Sequence, residues 1–470
     1  MLGAQIVIYR SALNKEMIEM IKNLLAKSVL SVAVIAAFVL PAHATNGMFM
    51  AGYGAKSIGM GGAGVAYGQD GFAAAANPAG ISRMGFRIDG NLGLFNAPRY
   101  AAVGTAAGAS SSMGYEFDTA STSLNNLFPV PGLAATMDFD DRLTFGIAMV
   151  GAGLNTTYDH DIFAGIQGPG RATPNEKLGV DLIQVQMPMT AAYQVDAHNA
   201  VGLSFVPAVQ FFKAYGLETF NSFHITTPQG KDYFTNKGRD EAHGAGLRAG
   251  WMGKYFDDRL TLGATYASKV YMSKFKRYKG LFAEGGSLDI PANWAVGIAF
   301  KPTKNTTVTL DRERILYAGV RSISNRGPFE VADTPGIPAT PVGPRIFGKL
   351  LGENGGMGFG WNSQTVYKFG VDYKYNNDWT FRAGYNYGKS PIPADQVTFS
   401  ALAPAVVEKH YSIGFTYSID ATSEFNFGYM YAPLKKQVEC NGTTPSTNVV
   451  GCVLVQMKQN DFEFGYSLKF

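Results

Sequence analysis

Three constellations in this sequence have residue types that could do chemistry. Gly59, Gly61 and Gly64 form a G-x-G-x-x-G, the spacing with which a backbone cradles a dinucleotide pyrophosphate. That fingerprint needs a buried strand before it and an acid about 20 residues after it. The preceding TNGMFMAGYGAKSI has no β-branched run, and Asp70 and Asp89 stand at other offsets, so no nucleotide cofactor is expected. Glu408, His410 and Ser412 share one face of an alternating segment and imitate a hydrolase set. Residues two apart on a strand sit roughly 6.5 Å apart, beyond the reach of a nucleophile and its base. The chain does not read as an enzyme. Cys440 and Cys452 bound the polar stretch CNGTTPSTNVVGC, and in an exported protein they predict a disulfide, with two unpaired thiols as the alternative. The six histidines are scattered and no metal-ligand spacing occurs.

Export is written at the start of the chain. From Met20, Lys22 and Lys27 precede an apolar run from Val29 to Leu40, and Ala42-His43-Ala44 gives an A-x-A site. This is the pattern of a secretory signal peptide, and its apolar run is shorter than the ~20 residues of a spanning helix. Residues 1–19 read as an upstream extension, 20–44 as the signal, and the mature chain as starting at residue 45. Across the whole chain 40 Lys and Arg face 36 Asp and Glu, and no basic patch of nucleic-acid-binding scale is present.

The remaining sequence alternates with period two. Ile183, Val185, Met187, Met189, Ala191, Tyr193 and Val195 oppose Gln184, Gln186, Thr190 and Gln194. Trp379, Phe381, Ala383, Tyr385 and Tyr387 oppose Thr380, Arg382 and Asn386. Such segments are strands with one apolar and one wet face. Tight turns at 139–142, 196–199, 256–259, 302–305, 376–379 and 420–423 alternate with long polar links at 97–130, 152–181, 215–243, 273–290, 318–363, 388–407 and 433–452. Thirteen connections join fourteen strands, and the short-long asymmetry is that of an outer-membrane barrel. The predicted fold is therefore all-β: a fourteen-stranded antiparallel transmembrane β-barrel over 86–470, with 45–85 as an N-terminal plug in its lumen. The final DFEFGYSLKF places Phe462, Phe464, Tyr466, Leu468 and Phe470 on one face and resembles the terminal signature of bacterial outer-membrane barrels.

Three motifs in order resemble the FadL/TodX family of outer-membrane transporters for long-chain fatty acids and other hydrophobic compounds in Gram-negative bacteria. Asn77-Pro78-Ala79 matches the family's N-P-A motif at the plug end, IPANWAVGIAF at 290–300 is similar to its L-P-x-x-W strand, and NNDWTFRAGYNYGKSPIPADQ at 376–396 is similar to its W-T-F-R strand and S-P-x-P loop. The resemblance implies capture of a hydrophobic molecule at the outer loops, transfer to a pocket beside the plug, and lateral release at a kinked third strand. Carried onto this chain, the outer groove involves Phe220, Phe223, Phe234, Leu281 and Phe282, and the inner pocket Met48, Phe49, Met50 and Tyr53. The exit falls at Gly151 and Gly153.

For a fatty-acid carboxylate, the positions nearest the family's basic residues read ETF (218–220) and GFG (358–360), without Arg or Lys. Inward parity offers Arg248, Lys368 and Arg382 instead, with Asp311, Glu313 and Asp372 as competing partners in a structural network. An aromatic hydrocarbon needs no cation and is the alternative substrate; a polar-solute porin is the other reading. Expected partners are the substrate and the lipid and lipopolysaccharide of the outer membrane, around a monomer with no cofactor.

Overall fold

The computed structural model describes residues 46–106, 115–163, 177–219, 225–327, 349–443 and 450–470. Eighteen strand segments pair into one antiparallel sheet, and Arg87–Asn96 pairs with Val450–Lys469 to close it. Four wall strands are each broken once: Arg87–Asn96 continues as Arg99–Ala106, Tyr115–Thr122 as Leu127–Asp138, Leu178–Gln186 as Met189–Gln194, and Leu260–Ala267 as Tyr271–Met272. The wall is thus a fourteen-stranded barrel. Closure is required in lipid, where an open edge would leave backbone groups without partners.

Period two decides which side faces what. Leu203, Leu247, Leu310, Phe369 and Ile413 are exposed on the outer face, while their chain neighbours Ser204, Arg248, Asp311, Lys368 and Ser412 are buried toward the lumen. Four of the tight turns are held by one device. Asp140, Asp196, Asn376 and Asp420 each accept two backbone N–H bonds, from the residues two and three positions on, at 2.7–2.9 Å. This is the local side-chain chemistry for which Asx residues are favoured in turns. These bonds, with two more from the Thr422 and Ser423 hydroxyls, hold the Asp420 carboxyl well below the usual range.

Three of the expected long links are shorter than the sequence implies. Strand continues to Ala106 and resumes at Tyr115, continues to Tyr158 and resumes at Leu178, and continues to Thr443 and resumes at Val450. The ladder is made by backbone groups and persists after side-chain alternation fades. A second difference concerns the segment around Ile183 and Val185: Leu178–Gln186 is buried on both faces, so these apolar side chains do not face lipid. The strand also breaks at Met187 and Pro188 before Met189–Gln194 resumes.

The lumen has two zones. Toward the tight turns it is polar: Lys56 of the plug pairs with Glu424, Arg87 with Asp89 at 2.6 Å, and Arg382 with Asp372 at 2.8 Å. Toward the long connections the inward residues become apolar and join one large cluster with the outer segments, including Phe212, Ile315, Val366, Val453 and Val455.

The glycine-rich segment Gly54–Gly59 and the residues after it pack inside the polar zone. Gly61 has φ +69°, a conformation side chains disfavour, and it lies against the backbone of Tyr385. A Cβ on Gly384 of the wall would stand 2.1 Å from the Gly61 nitrogen. The amides of Gly64 and Val65 both donate to Asp311 Oδ2, at 2.7 and 3.0 Å. The glycine loop does cradle an anion, and the anion is a carboxylate of its own barrel.

Two measurements follow. Gly384→Leu should displace the plug while the barrel remains heat-modifiable, giving clearly raised single-channel conductance in a planar bilayer; unchanged conductance would show that the contact is dispensable. Cys452 is disulfide-bonded and stands opposite Cys440 in the ladder of the last hairpin. Non-reducing peptide mapping should recover the two cysteines as one linked species. Their replacement by serine should lower stability by roughly 3 kcal/mol by the chain-entropy estimate for so short a loop.

Candidate functional site

The apolar zone of the lumen contains a small cavity. Every residue lining it is apolar: Met48 of the plug, Leu154, Val180, Leu182 and Phe212 of the wall, and Phe282, Leu288, Ile323, Phe359, Trp361 and Ala403 of the outer connections. The rings are mutually ordered. Phe212 lies 4.7 Å from Phe282 and 4.9 Å from Tyr278, and Trp361 meets Tyr317 edge-on at 5.3 Å. Edge-to-face contacts of this kind fix ring orientation as well as burying area.

Polar bonds at the edge of the cavity hold its lining in place. Tyr317 Oη donates to the carbonyl of Asn46 at 2.5 Å and accepts from the amide of Met48 at 2.8 Å, clamping the start of the plug. Burial pushes the Tyr317 phenol well above its usual value, so it stays a neutral donor. Trp361 Nε1 donates to Ser400 Oγ at 3.2 Å, joining two outer connections.

A second small space shares Leu154, Trp361 and Ala403 with the first. It is lined additionally by Phe95, Thr156, Met457, Gln459 and one cation, Arg99. The Arg99 guanidinium is buried, lies 5.6 Å over the Phe128 ring and donates to the Asn125 carbonyl at 2.6 Å.

Beside both spaces the wall ladder is interrupted. The second and third wall strands pair from Asp138 opposite Thr144 to Leu133 opposite Met149, and there the pairing stops. Hydrogen bonding resumes further out, where Leu124 N donates to Thr157 O at 2.7 Å. Across the interval the third strand, Leu143–Tyr158, remains fully paired on its other side, with Gly151 opposite Val185 and Gly153 opposite Ile183. On the second strand the interval holds Pro129 and Pro131, which have no N–H to offer a ladder. Phe128 and Val130, between and beside these prolines, point into the same apolar cluster as the cavity.

The residues predicted from sequence distribute unevenly. Met48 and Phe282 line the cavity, Phe49 packs on Tyr317 at 6.2 Å, and Met50, Phe234 and Leu281 are buried. Phe220 and Phe223 lie outside the described residues. Tyr53 packs instead against a separate apolar cluster that includes Phe72, Ile81 and Ala134, and it lines neither space. Arg248 donates to the Ala76 carbonyl at 3.0 Å, and Arg382 binds Asp372 and plug residue Gln69, so both cations hold the plug. Lys368 pairs with Glu313 at 2.8 Å. Parity put these side chains on the inner face correctly but carried no information about height in the barrel. Asn77 of the N-P-A motif donates to the carbonyls of Val65 at 2.7 Å and Trp251 at 3.1 Å and accepts from Ala79 N, fastening plug to wall. Ser412 likewise serves the plug, accepting from Gly61 N at 2.8 Å and donating to Gly59 O. Leu154, Trp361, Phe359, Ile323 and Arg99 escaped the sequence reading; Trp361 alone, a tryptophan in a long polar link, carried a usable signal.

Comparison with known proteins agrees with this architecture. A curated relative from Chlorobium limicola, an uncharacterized protein in a phosphoenolpyruvate carboxykinase gene 5′ region, is 51% identical over 57 residues, which are 11% of this chain and 28% of the relative. The chain thus matches little more than a quarter of that relative's length. Among solved structures, the toluene transporter TodX of Pseudomonas putida superposes with a TM-score of 0.63 at 19% identity, covering 91% of this chain and 100% of that one. The toluene transporter TbuX of Ralstonia pickettii gives 0.57 at 18% identity over 89% and 99%. A Pseudomonas aeruginosa FadL homologue gives 0.59 at 14% identity over 92% and 99%. At these identities the likeness is one of fold. The family profile described as outer membrane protein transport protein (OMPP1/FadL/TodX) matches residues 31–459, and the chain belongs to that family of Gram-negative outer-membrane β-barrel transporters.

Proposed function

We propose that this chain carries small, uncharged apolar molecules, with monoaromatic hydrocarbons as the best-fitting class, from its outer connections into the lumen cavity and out sideways through the interrupted wall. The observation that carries this reading is the all-apolar, ring-lined cavity around Met48, Phe212, Phe282 and Trp361. Its lining offers no polar group for an uncharged guest to desolvate, and its rings suit an aromatic guest. The toluene transporters of similar fold support the same class. A polar-solute porin is disfavoured, because the plug occupies the lumen and its leading residues join the apolar cluster.

Lateral release rests on the ladder. The unpaired interval between Leu133–Met149 and Leu124–Thr157 lies directly outside Leu154, which lines both spaces. An apolar molecule leaving there enters lipid without crossing the polar zone below. One observation favours a second substrate class: Arg99 in the adjoining space gives a carboxylate a cationic partner, so a fatty acid could lie with its chain in the apolar cavity and its head at Arg99.

The two classes separate in one experiment. Purified protein should bind labelled toluene, and Arg99→Gln should leave that binding within twofold. If a long-chain fatty acid is the true substrate, Arg99→Gln should weaken it at least tenfold, a charge-assisted bond being roughly 1.5–3 kcal/mol. The exit is tested by Gly151→Val/Gly153→Val, since β-branched residues favour the pleated ladder and add bulk beside the gap. Uptake of the labelled substrate into cells should fall about tenfold while binding by the purified variant persists. Full uptake by a correctly inserted double variant would exclude this route.

A further inference from the structure

The outer face of the barrel carries a pair of cations that transport does not use. Along Thr306–Ile315 the outward residues are Val308, Leu310, Arg312 and Arg314, and their outward neighbours Val296, Ile298, Tyr367 and Phe369 are apolar or aromatic. Arg312 stands opposite Tyr367 on one neighbouring strand, and Arg314 stands opposite Trp294 on the other. The Arg312 guanidinium lies 5.1 Å from the Trp294 ring centroid, and Arg314 Nη1 donates to Thr365 Oγ1 at 2.7 Å.

Among the described residues neither guanidinium forms an ion pair. The acids of the same strand face the opposite way: Asp311 takes the plug amides and Glu313 takes Lys368. Below the pair, Leu310, Ile298 and Phe369 are exposed as an apolar band. The tight turn at 304–305 closes the periplasmic end, and Arg312 and Arg314 lie six and eight residues beyond Thr306. At about 3.3 Å per residue and a tilt of about 40°, this puts them roughly 15–20 Å up a lipid-facing band about 25 Å tall, toward its outer edge. A cation on the lipid-facing surface is unfavourable unless it reaches an anion or the headgroup layer.

We propose that Arg312 and Arg314 form a binding site for the phosphate of an outer-leaflet glycolipid, namely lipopolysaccharide. A phosphate monoester presents several acceptor oxygens and meets both guanidiniums, whose planar donor forks suit phosphate geometry. Trp294 and Tyr367 flank the site at the level where amphipathic rings favour the interface, and the apolar band below receives the acyl chains. The site sits on the outer wall, so its occupancy does not depend on which compound the lumen carries. It ties the barrel to the leaflet the substrate must cross and fixes its height and tilt there.

The test uses the full barrel in detergent and titrates it, by native mass spectrometry, with lipid A and with enzymatically dephosphorylated lipid A. Wild-type protein should prefer the phosphorylated lipid. Arg312→Gln/Arg314→Gln should weaken that binding by about tenfold or more, given the usual contribution of each basic residue at an anionic lipid surface. Arg312→Lys/Arg314→Lys should restore part of it, and dephosphorylated lipid should bind all three proteins equally weakly. Equal affinity of the wild type for the two lipids would overturn the proposal without recourse to any variant. So would unchanged lipid A affinity in a heat-modifiable glutamine variant.

Discussion

Most of this structure depends on the close approach of the plug backbone to the inner wall. Within the polar zone, plug and barrel meet main chain against main chain, and the wall accommodates this by omitting side chains where contact is tightest. A Cβ on Gly202 would stand 2.4 Å from the Pro78 carbonyl carbon, as one on Gly384 would collide with Gly61. Around these contacts the plug amides and carbonyls find side-chain partners on the wall: Asp311, Ser412, Asn386 and Arg248. A segment with little helix and few strand bonds can persist inside a barrel only if its polar groups are met in this way. The ion pairs of the same zone, with Lys56 and Glu424 the most direct plug-to-wall example, are complements to this backbone fit.

Because the plug seals the polar zone, the apolar zone above it becomes a pocket with a floor. Tyr317 makes the floor definite, since its single hydroxyl bonds the chain on either side of Gly47 and so sets where Met48 stands. The walls come from strands and the roof from outer connections, and ring contacts such as Phe212 with Phe282 join the two. Hydrophobic burial alone is non-directional. Here the orientation of the pocket is fixed by a few hydrogen bonds at its edge, and the surface between them is apolar.

The barrel was legible in the sequence because period two is a property of the strand backbone, visible wherever one face meets lipid. Strand number, the tight turns and the plug all followed from it. Legibility failed where that contrast was missing. Arg99 lies just past the break at Ala97 and Pro98, in a stretch whose small and polar residues read as loop, although the backbone continues there as strand. Leu288, Ile323, Phe359 and Trp361 come from connections with no period, and only the fold brings them to Met48. Arg248 and Arg382 show the converse limit: inward parity identified them, yet their neighbours in space, Ala76 and Gln69, belong to a plug segment far away in sequence.

The interrupted ladder between the second and third wall strands bears on the general rule that barrels in lipid leave no backbone unpaired. The interval is short and is bounded by hydrogen bonds at both ends. Pro129 and Pro131 reduce the number of donors that must be met there, and the third strand keeps its ladder with the fourth from Val150 to Tyr158. The fourth strand at this level, Leu178–Gln186, is buried on both faces, so the strand that flanks the third on its paired side is not itself exposed. These features lower the cost of leaving the two strands apart at one height. They also confine the opening to the apolar zone, above the level at which Arg87, Asp89 and Glu424 make the lumen polar. On the proposed lateral route, a wall that opened lower would expose those charges to lipid, and one that opened higher would release a guest among sugars and water. The depth at which the ladder stops is therefore set by the same division of the lumen that makes the pocket.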